Sequence, residues 1–333
     1  MNKVSSTCLI TGANGFIGTF LVKSAISAGL NVIAGVRQQS NIDSIKDLDI
    51  SILRIDYSSA ETIVEALKGI HFDYIIHNAG VTKALDQNEY NLSNVLQTSF
   101  LIEAIQHLNL SLKKFVFISS LAAYGPVDFK IADYVSNKNT PNPVTDYGRS
   151  KLQAESLVTS TPNLPYVIIR PTAVYGPGEL DLYQVFVMVS KGIAFVPKVE
   201  DQTLTFVYVQ DLVDVVIKAA VSEHTNCSFF VSDGKNYQTK SLPKEISRAM
   251  GKKIFFIETP LFLIHILAEI TGLWGKIMRK PPILNKDKLS EVIARSWACD
   301  MQSTMNALDF KPQFELAEGV KNTVRWYVQK DML

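Results

Sequence analysis

Residues 7–18 read T-C-L-I-T-G-A-N-G-F-I-G. An apolar, β-branched run ends at Thr11. Glycines follow at 12, 15 and 18, and a helical pattern of apolar residues starts at Phe16 and runs to Ala28. A strand that turns sharply into a helix needs a first glycine for the turn. A second lets backbone N–H groups approach a pyrophosphate, and a third lets helix and strand pack closely. The helix N-terminus adds attraction for negative charge. The spacing is GxxGxxG rather than GxGxxG, and a glycine triplet by itself marks only a tight turn. Its place in a first strand–helix unit is what points to a dinucleotide.

The same rhythm continues outward from this loop. Short apolar runs recur at 31–35, 50–56, 74–77, 114–119 and 166–170, with a further one at 229–232. Most lack polar alternation, as expected of strands covered on both faces of a parallel sheet. Helical patterns lie between them at 60–67, 92–108, 147–159 and 211–220. Alternation of this kind predicts an α/β fold, a Rossmann-type doubly wound parallel sheet. After Arg170 the rhythm breaks, and Pro, Trp and Tyr become frequent. The expected division is a dinucleotide-binding domain of residues 1–171 plus 204–234, and a smaller C-terminal substrate lobe of residues 172–203 plus 235–333.

The chain has 333 residues, 47% of them hydrophobic, and a net charge of +1. These values predict a sizeable core and argue against nucleic acid as a partner. Three cysteines (Cys8, Cys227, Cys299) stand far apart with no metal-ligand spacing, and the five histidines form none either. Reduced thiols, a cytoplasmic location and no metal are expected. The N-terminus lacks the apolar run of a signal peptide. The apolar stretch 254–274 is interrupted by Glu258, Pro260, His265 and Glu269, so it predicts no transmembrane span. Lys276, Arg279 and Lys280 form the clearest basic cluster, read as a solvated face.

Residues 146–151 read D-Y-G-R-S-K. A helix here puts Tyr147 and Lys151 on one face, four residues apart. A phenol with a pKa of about 10 is a poor proton donor or acceptor at neutral pH, and a neighbouring ammonium brings it closer to the working range. The pair alone would pass for an ordinary amphipathic helix face.

Taken together, T-G-x-x-G-x-x-G and Y-x-x-x-K resemble the extended branch of the short-chain dehydrogenase/reductase superfamily, which includes epimerases, dehydratases and reductases. H-N-A-G (77–80), Asn94, S-S-L-A-A-Y-G (119–125), R-P-T-A-V-Y-G-P-G (170–178) and the segment 308–327 resemble family segments in order and spacing. The resemblance implies a catalytic set of Ser120, Tyr147 and Lys151. It also implies a cofactor site of Gly12, Asn14, Gly15, Phe16, Ile17, Gly18, Arg37, Asp56, Tyr57, Asn78, Ala79, Gly80, Pro171, Thr172 and Val174, with Tyr147 and Lys151 contributing. Tyr147 would move the alcohol proton and Ser120 would bond the reacting oxygen. Lys151 would hold the nicotinamide ribose.

Departures from the family pattern narrow the substrate. Dehydratases carry an Asp-Glu pair after the serine, where this chain has Leu121 and Ala122. Nucleotide-sugar enzymes commonly carry Arg-Asp where this chain has Leu204 and Thr205, which leaves Arg170, Lys191, Lys198 and Arg279 as the alternative candidates for a phosphate. Residues 260–267, then Leu273 and Trp274, are apolar where a substrate would sit, as in the hydroxysteroid dehydrogenases and dihydroflavonol reductases of the branch. The expected activity is NAD(P)-dependent hydride transfer at a secondary alcohol or ketone of a small apolar substrate. The alternatives are a UDP-sugar 4-epimerase and, more remotely, a non-catalytic redox sensor. The second strand ends Val36-Arg37 with no acid, which predicts NADP(H) in preference to NAD(H). Family analogy implies a homodimer.

Overall fold

A computed structural model describes residues 6–127, 132–278 and 286–333. Seven strands form one sheet: β1 (Thr7–Thr11), β2 (Asn31–Arg37), β3 (Ser51–Ile55), β4 (Tyr74–His77), β5 (Lys114–Ile118), β6 (Tyr166–Pro171) and β11 (Cys227–Val231). Their order is β11-β6-β5-β4-β1-β2-β3. The pairs from β3 through β6 are parallel, with Thr11 beside both Gly35 and His77. The order reverses at β1, so the crevice at the carboxyl end of β1 falls at the switch point where such sheets bind ligands. All seven expected strands are present, within a few residues of their sequence bounds.

The helices among these strands are α1 (Phe16–Ser27), α2 (Ala60–Leu67), α3 (Gln87–Tyr90), α4 (Gln97–His107), α5 (Asp146–Ser160) and α7 (Val209–Val221). A π-turn at Asn91–Leu96 joins α3 to α4. Helix α2 starts with a reciprocal cap between Ser59 and Thr62. Leu9, Phe72, Ile75, Phe115 and Phe117 are almost fully buried, with α2, α4 and α5 residues such as Ile63, Leu101 and Ala154 packed against them. Each such side chain contributes roughly 1.5–3 kcal/mol on burial.

The chain divides into two compact units. The first comprises Met1–Ser120, Arg149–Arg170 and Val213–Phe229, and the second Leu121–Gly148, Pro171–Leu212 and Phe230–Leu333. The boundaries differ from the expected ones at 121–148, at 204–212 and at 230–234, and the second unit is not the smaller of the two. The reason at 204–212 is strand pairing. Strand β10 (Phe206–Tyr208) pairs with β7 (Ala173–Tyr175), not with the large sheet. The second unit also holds β8 (Ile193–Pro197) beside β13 (Phe255–Thr259), and β9 (Thr203–Leu204) beside β12 (Tyr237–Gln238). Its remaining helices are α6 (Tyr183–Ser190), α8 (Ser241–Met250), α9 (Leu261–Met278), α10 (Lys286–Ile293), α11 (Met301–Leu308) and α12 (Leu316–Gln329). Its main core gathers Tyr175, Phe186, Phe206, Ile246, Val320 and Tyr327.

Candidate active site

The glycine loop is built as the sequence requires. Gly12 has φ +64°, a conformation glycine adopts without strain, and a Cβ there would lie 2.9 Å from Ala79 Cα. A Cβ on Gly18 would stand 2.0 Å from the Gly12 carbonyl oxygen. Gly15 caps α1 without a side-chain bond, and no acid occupies the first turn. That leaves first-turn N–H groups for an anion of a ligand. Phe16 and Ile17 open the helix, and Asn14 Nδ2 donates to Asn41 O at 3.1 Å. These residues fit the pyrophosphate of a dinucleotide.

Behind the loop, His77 organises a chain of hydrogen bonds. The Thr11 hydroxyl oxygen accepts the N–H groups of Asn78 (3.2 Å) and Ala79 (3.1 Å), so its proton points to His77 Nδ1 at 2.8 Å. The Thr98 hydroxyl donates to Asn94 O (2.7 Å) and therefore accepts from His77 Nε2 at 3.0 Å. His77 is thus the neutral Nε2–H tautomer. Burial, and then the charge of Lys151, push its pKa down to about 3. Asn78 Nδ2 also reaches Gly12 O at 3.3 Å. Through these bonds His77 and its neighbours tie the first glycine, the end of β4 and α4 together.

The π-turn turns Asn94 inward, and such bulges are frequent at functional sites. Asn94 Oδ1 accepts Val81 N–H (2.9 Å), and its Nδ2 donates to Val81 O (3.1 Å) and Ser150 Oγ (2.9 Å). It therefore clasps the chain just after Gly80 to α5. Lys151, next along α5, is 5% exposed. Its Nζ donates to Ile118 O at 2.6 Å and lies 4.4 Å from the centre of the Phe117 ring. Burial lowers its pKa to about 8, against a partial upward pull from Glu155.

Ser119 and Ser120 separate cleanly. Ser119 is buried, with its hydroxyl 2.5 Å from Glu155 Oε1, while Ser120 is half-buried. Glu155 also takes a two-point ion pair from Arg170, whose Nε and Nη2 lie 2.9 Å and 2.7 Å from its two oxygens. Arg170 Nη1 bonds Ser228 Oγ at 2.7 Å. Arg170, considered above as a substitute phosphate ligand, is thus held inside the first unit. Lys191 and Lys198 lie at the two ends of the β8 region, and Arg279 and Lys280 lie outside the described residues.

Tyr147 stands one turn before Lys151 on α5 and is half-buried. The start of this helix sits against Leu121–Ala123, a single 3-10 turn after Ser120. A Cβ on Gly148 would be 2.2 Å from Ala122 O, so only glycine allows this approach. Gly148 lies between the two residues singled out in that segment, and its requirement for glycine comes from the distant Ala122 carbonyl.

At the adenosine end, β2 stops at Arg37, which is exposed, while Val36 is buried. Arg54 on β3, not singled out in the sequence, donates through Nη1 to the carbonyls of Arg37 (3.2 Å) and Gln38. Asp56 is exposed and its Oδ1 accepts Ser58 N–H at 2.9 Å. Tyr57 is 7% exposed and its ring packs with the first unit's core. Pro171 ends β6 and Val174 lies on β7. Thr172 is buried, its Oγ1 2.6 Å from Thr205 Oγ1, and Thr205 donates to Trp297 O at 2.6 Å. Among the described residues, no cluster of three or more His, Cys, Asp or Glu could hold a metal. A pocket of about 210 Å³ in the second unit, lined by Ser232, Asn236, Cys299, Asp300 and Met301 among others, contains none of the expected site residues.

A glycine loop at the switch point of a parallel sheet, with a Tyr–Lys helix, defines a dinucleotide-dependent enzyme. Residues 8–227 match the NAD dependent epimerase/dehydratase family, and the chain belongs to it. It is an extended short-chain dehydrogenase/reductase. A UDP-glucose 4-epimerase of Vibrio cholerae is 29% identical over 98% of this chain and 97% of that protein. A ceramide reductase of Caulobacter vibrioides is 23% identical over 96% of this chain and 93% of that protein. The fold matches the structure of a Thermus thermophilus UDP-glucose 4-epimerase in complex with NAD, with TM-score 0.77, 21% identity and coverage of 97% and 99% of the two chains.

Proposed function

We propose that the protein is an NAD(P)-dependent oxidoreductase that interconverts a ketone and a secondary alcohol on an apolar substrate. The observation that carries this reading is the use of Leu204 and Thr205. Where nucleotide-sugar enzymes of the branch carry Arg-Asp, Leu204 packs beside two cores and Thr205 is buried, bonded to Thr172 and Trp297. Neither offers a donor to a diphosphate, and the bond network of Arg170 keeps that guanidinium from substituting. The full-length likeness to a ceramide reductase supports the same direction.

The bound nicotinamide supplies or accepts the hydride. Tyr147 Oη gives its proton to the carbonyl oxygen as that carbon gains hydride, and takes it back in the reverse direction. Ser120 Oγ hydrogen-bonds to the same oxygen. The Lys151 ammonium, one turn from Tyr147, lowers the phenol pKa and so eases the transfer. NADP(H) is preferred: residues 36–41 contain no carboxylate, and Arg37 with Arg54 beside it presents guanidinium to a 2′-phosphate.

The likeness to the Vibrio cholerae epimerase favours a second reading, a UDP-sugar 4-epimerase that recycles its cofactor. One experiment separates them. Purified protein is given NADPH with a panel of apolar ketones, and separately UDP-glucose. The expected result is net NADPH consumption with a ketone, reduced about 1,000-fold in Tyr147→Phe while cofactor affinity is kept. Conversion of UDP-glucose without net cofactor change would overturn the proposal, and an active Tyr147→Phe would remove that residue's role.

A further inference from the structure

Helix α9 (Leu261–Met278) leaves much of its apolar surface open among the described residues. It is tied to its unit along a narrow line, where Ile264 and Ala268 pack with Leu261, Leu289 and Ile293. On its open side Phe262, Ile270, Leu273, Trp274 and Ile277 are each at least 60% exposed. Leu263, Ile266, Leu267 and Met278 are exposed as well. Isolated exposed apolar residues are ordinary, but a contiguous set of this size on one element marks an interaction surface.

The arrangement around the axis narrows what could cover it. At about 100° per residue, the exposed apolar positions fill one uninterrupted arc of roughly 160°. The packed positions 264 and 268 lie beyond one edge of that arc, and His265 and Glu269 lie beyond the other. A partner helix needs a narrower stripe, and a protein groove would have to enclose almost half of this helix. Acyl chains conform to such a surface without a preformed shape. Helices that lie in a bilayer interface have this layout, with Trp, Phe and Leu on one face and bases nearby. The sequence from Ile270 to Lys286 contains Lys276, Arg279, Lys280 and Lys286 and no Asp or Glu. That charge complements anionic headgroups, whereas a second copy would present the same bases to them. No helix among the described residues is long and apolar enough to cross a membrane. Strand β13, which leads into α9, exposes Phe255 beside Ile193 of β8 and extends the apolar character.

We propose that α9 is an interfacial docking helix that seats its apolar arc in an anionic lipid surface, holding the enzyme on one face of a membrane. This goes beyond the proposed activity and does not depend on it. The test uses the full chain with vesicles of phosphatidylcholine alone and of phosphatidylcholine with phosphatidylglycerol, read by co-sedimentation and tryptophan emission. Trp274 is the reporter, since it is 65% exposed while Trp297 is 8% exposed and Trp326 is half-buried against the second unit's core. The expected result is binding to the anionic vesicles with a blue shift, weakened by salt. The double variant Leu273→Ser/Ile277→Ser should bind about tenfold more weakly with its thermal stability kept, because both side chains are already in solvent. Absence of binding to either vesicle overturns the proposal. Equal binding to neutral vesicles overturns the anionic assignment. A wild-type oligomer that the double variant converts to monomer, with no vesicle binding, assigns the face to a second copy instead.

Discussion

The polar bracket of the first unit and the apolar helix of the second use their residues in opposite ways. Around the glycine loop, Thr11, His77, Asn94 and Thr98 spend their hydrogen-bonding capacity on one another, on nearby backbone and, for Asn94, on Ser150 Oγ. Buried polar groups are costly unless paired, so this geometry is over-determined and has one solution. Along α9 the opposite holds. Few of its side chains are fixed by the rest of the unit, and among the described residues nothing covers its outer arc. A region completed internally fixes atoms for chemistry. A region left incomplete is where something outside the chain contributes.

The first way to break this contrast is the largest in effect. Gly18→Ala places a Cβ 2.0 Å from Gly12 O, with Ala13 backbone atoms at 2.8 and 2.9 Å. Backbone on all sides leaves nothing flexible to move, so the variant should lose about 3 kcal/mol or fail to fold. Ile270→Ser, at 60% exposure on α9, should change the stability of the lipid-free protein by less than about 0.5 kcal/mol. Urea unfolding of both variants makes the comparison. Equal losses would mean that α9 is already covered in the isolated protein, and the distinction between the two regions would fall.

The sequence reading reached these two regions unequally, for physical reasons. Continuous apolar runs and glycine spacing are local signals, and all seven sheet strands and the Tyr147–Lys151 helix were legible from them. What was not legible depends on contacts distant in sequence. Strand β10 pairs with β7 across more than thirty residues, so 204–212 groups with the second unit, a grouping that no local pattern marks. Gly148 matters only because Ala122 O is adjacent, and Glu155 only because Ser119 and Arg170 converge on it. Tyr57 follows an exposed acid in sequence, yet its ring turns into the core. The α9 segment was legible as apolar, but whether those side chains line, pack or project is not a property of the segment.

A smaller effect tests whether the bracket carries a cost. Lys151 is buried with its pKa near 8, against 10.5 for a free lysine. Below about pH 8 both folded and unfolded states are charged, and the burial penalty is fully present. It is relieved as the pH rises from about 8 toward 10.5, where the folded amine is neutral first. Lys151→Met should therefore melt a few degrees higher than wild type at pH 7, roughly 2–5 °C, with the gain shrinking toward pH 10. The same substitution should abolish turnover. A variant that melts lower at pH 7 would show that Ile118 O and the Phe117 ring more than compensate the charge, and the bracket would then be stabilising throughout.

The smallest effect lies at the margin of the bracket, where its internal bonding ends. Arg37 is exposed at the last residue of β2, and Arg54 secures the backbone there through the carbonyls of Arg37 and Gln38. The loop position is thus fixed while the Arg37 side chain remains at the surface, a suitable arrangement for selecting between ligands that differ by one phosphate. Replacing it should leave folding untouched, since no core contact is lost. One charge-assisted interaction accounts for about tenfold in affinity, so Arg37→Ala should weaken NADPH binding by about that factor. NADH binding should change by less than about twofold, because the 2′-hydroxyl has no use for the guanidinium. Parallel fluorescence titrations of both cofactors, on wild type and variant, measure all four affinities. Tighter binding of NADH than NADPH by the wild type would refute the preference. An equal loss for both cofactors would make Arg37 part of the general electrostatic field of the loop, and selection by the exposed margin would have to rest on Arg54.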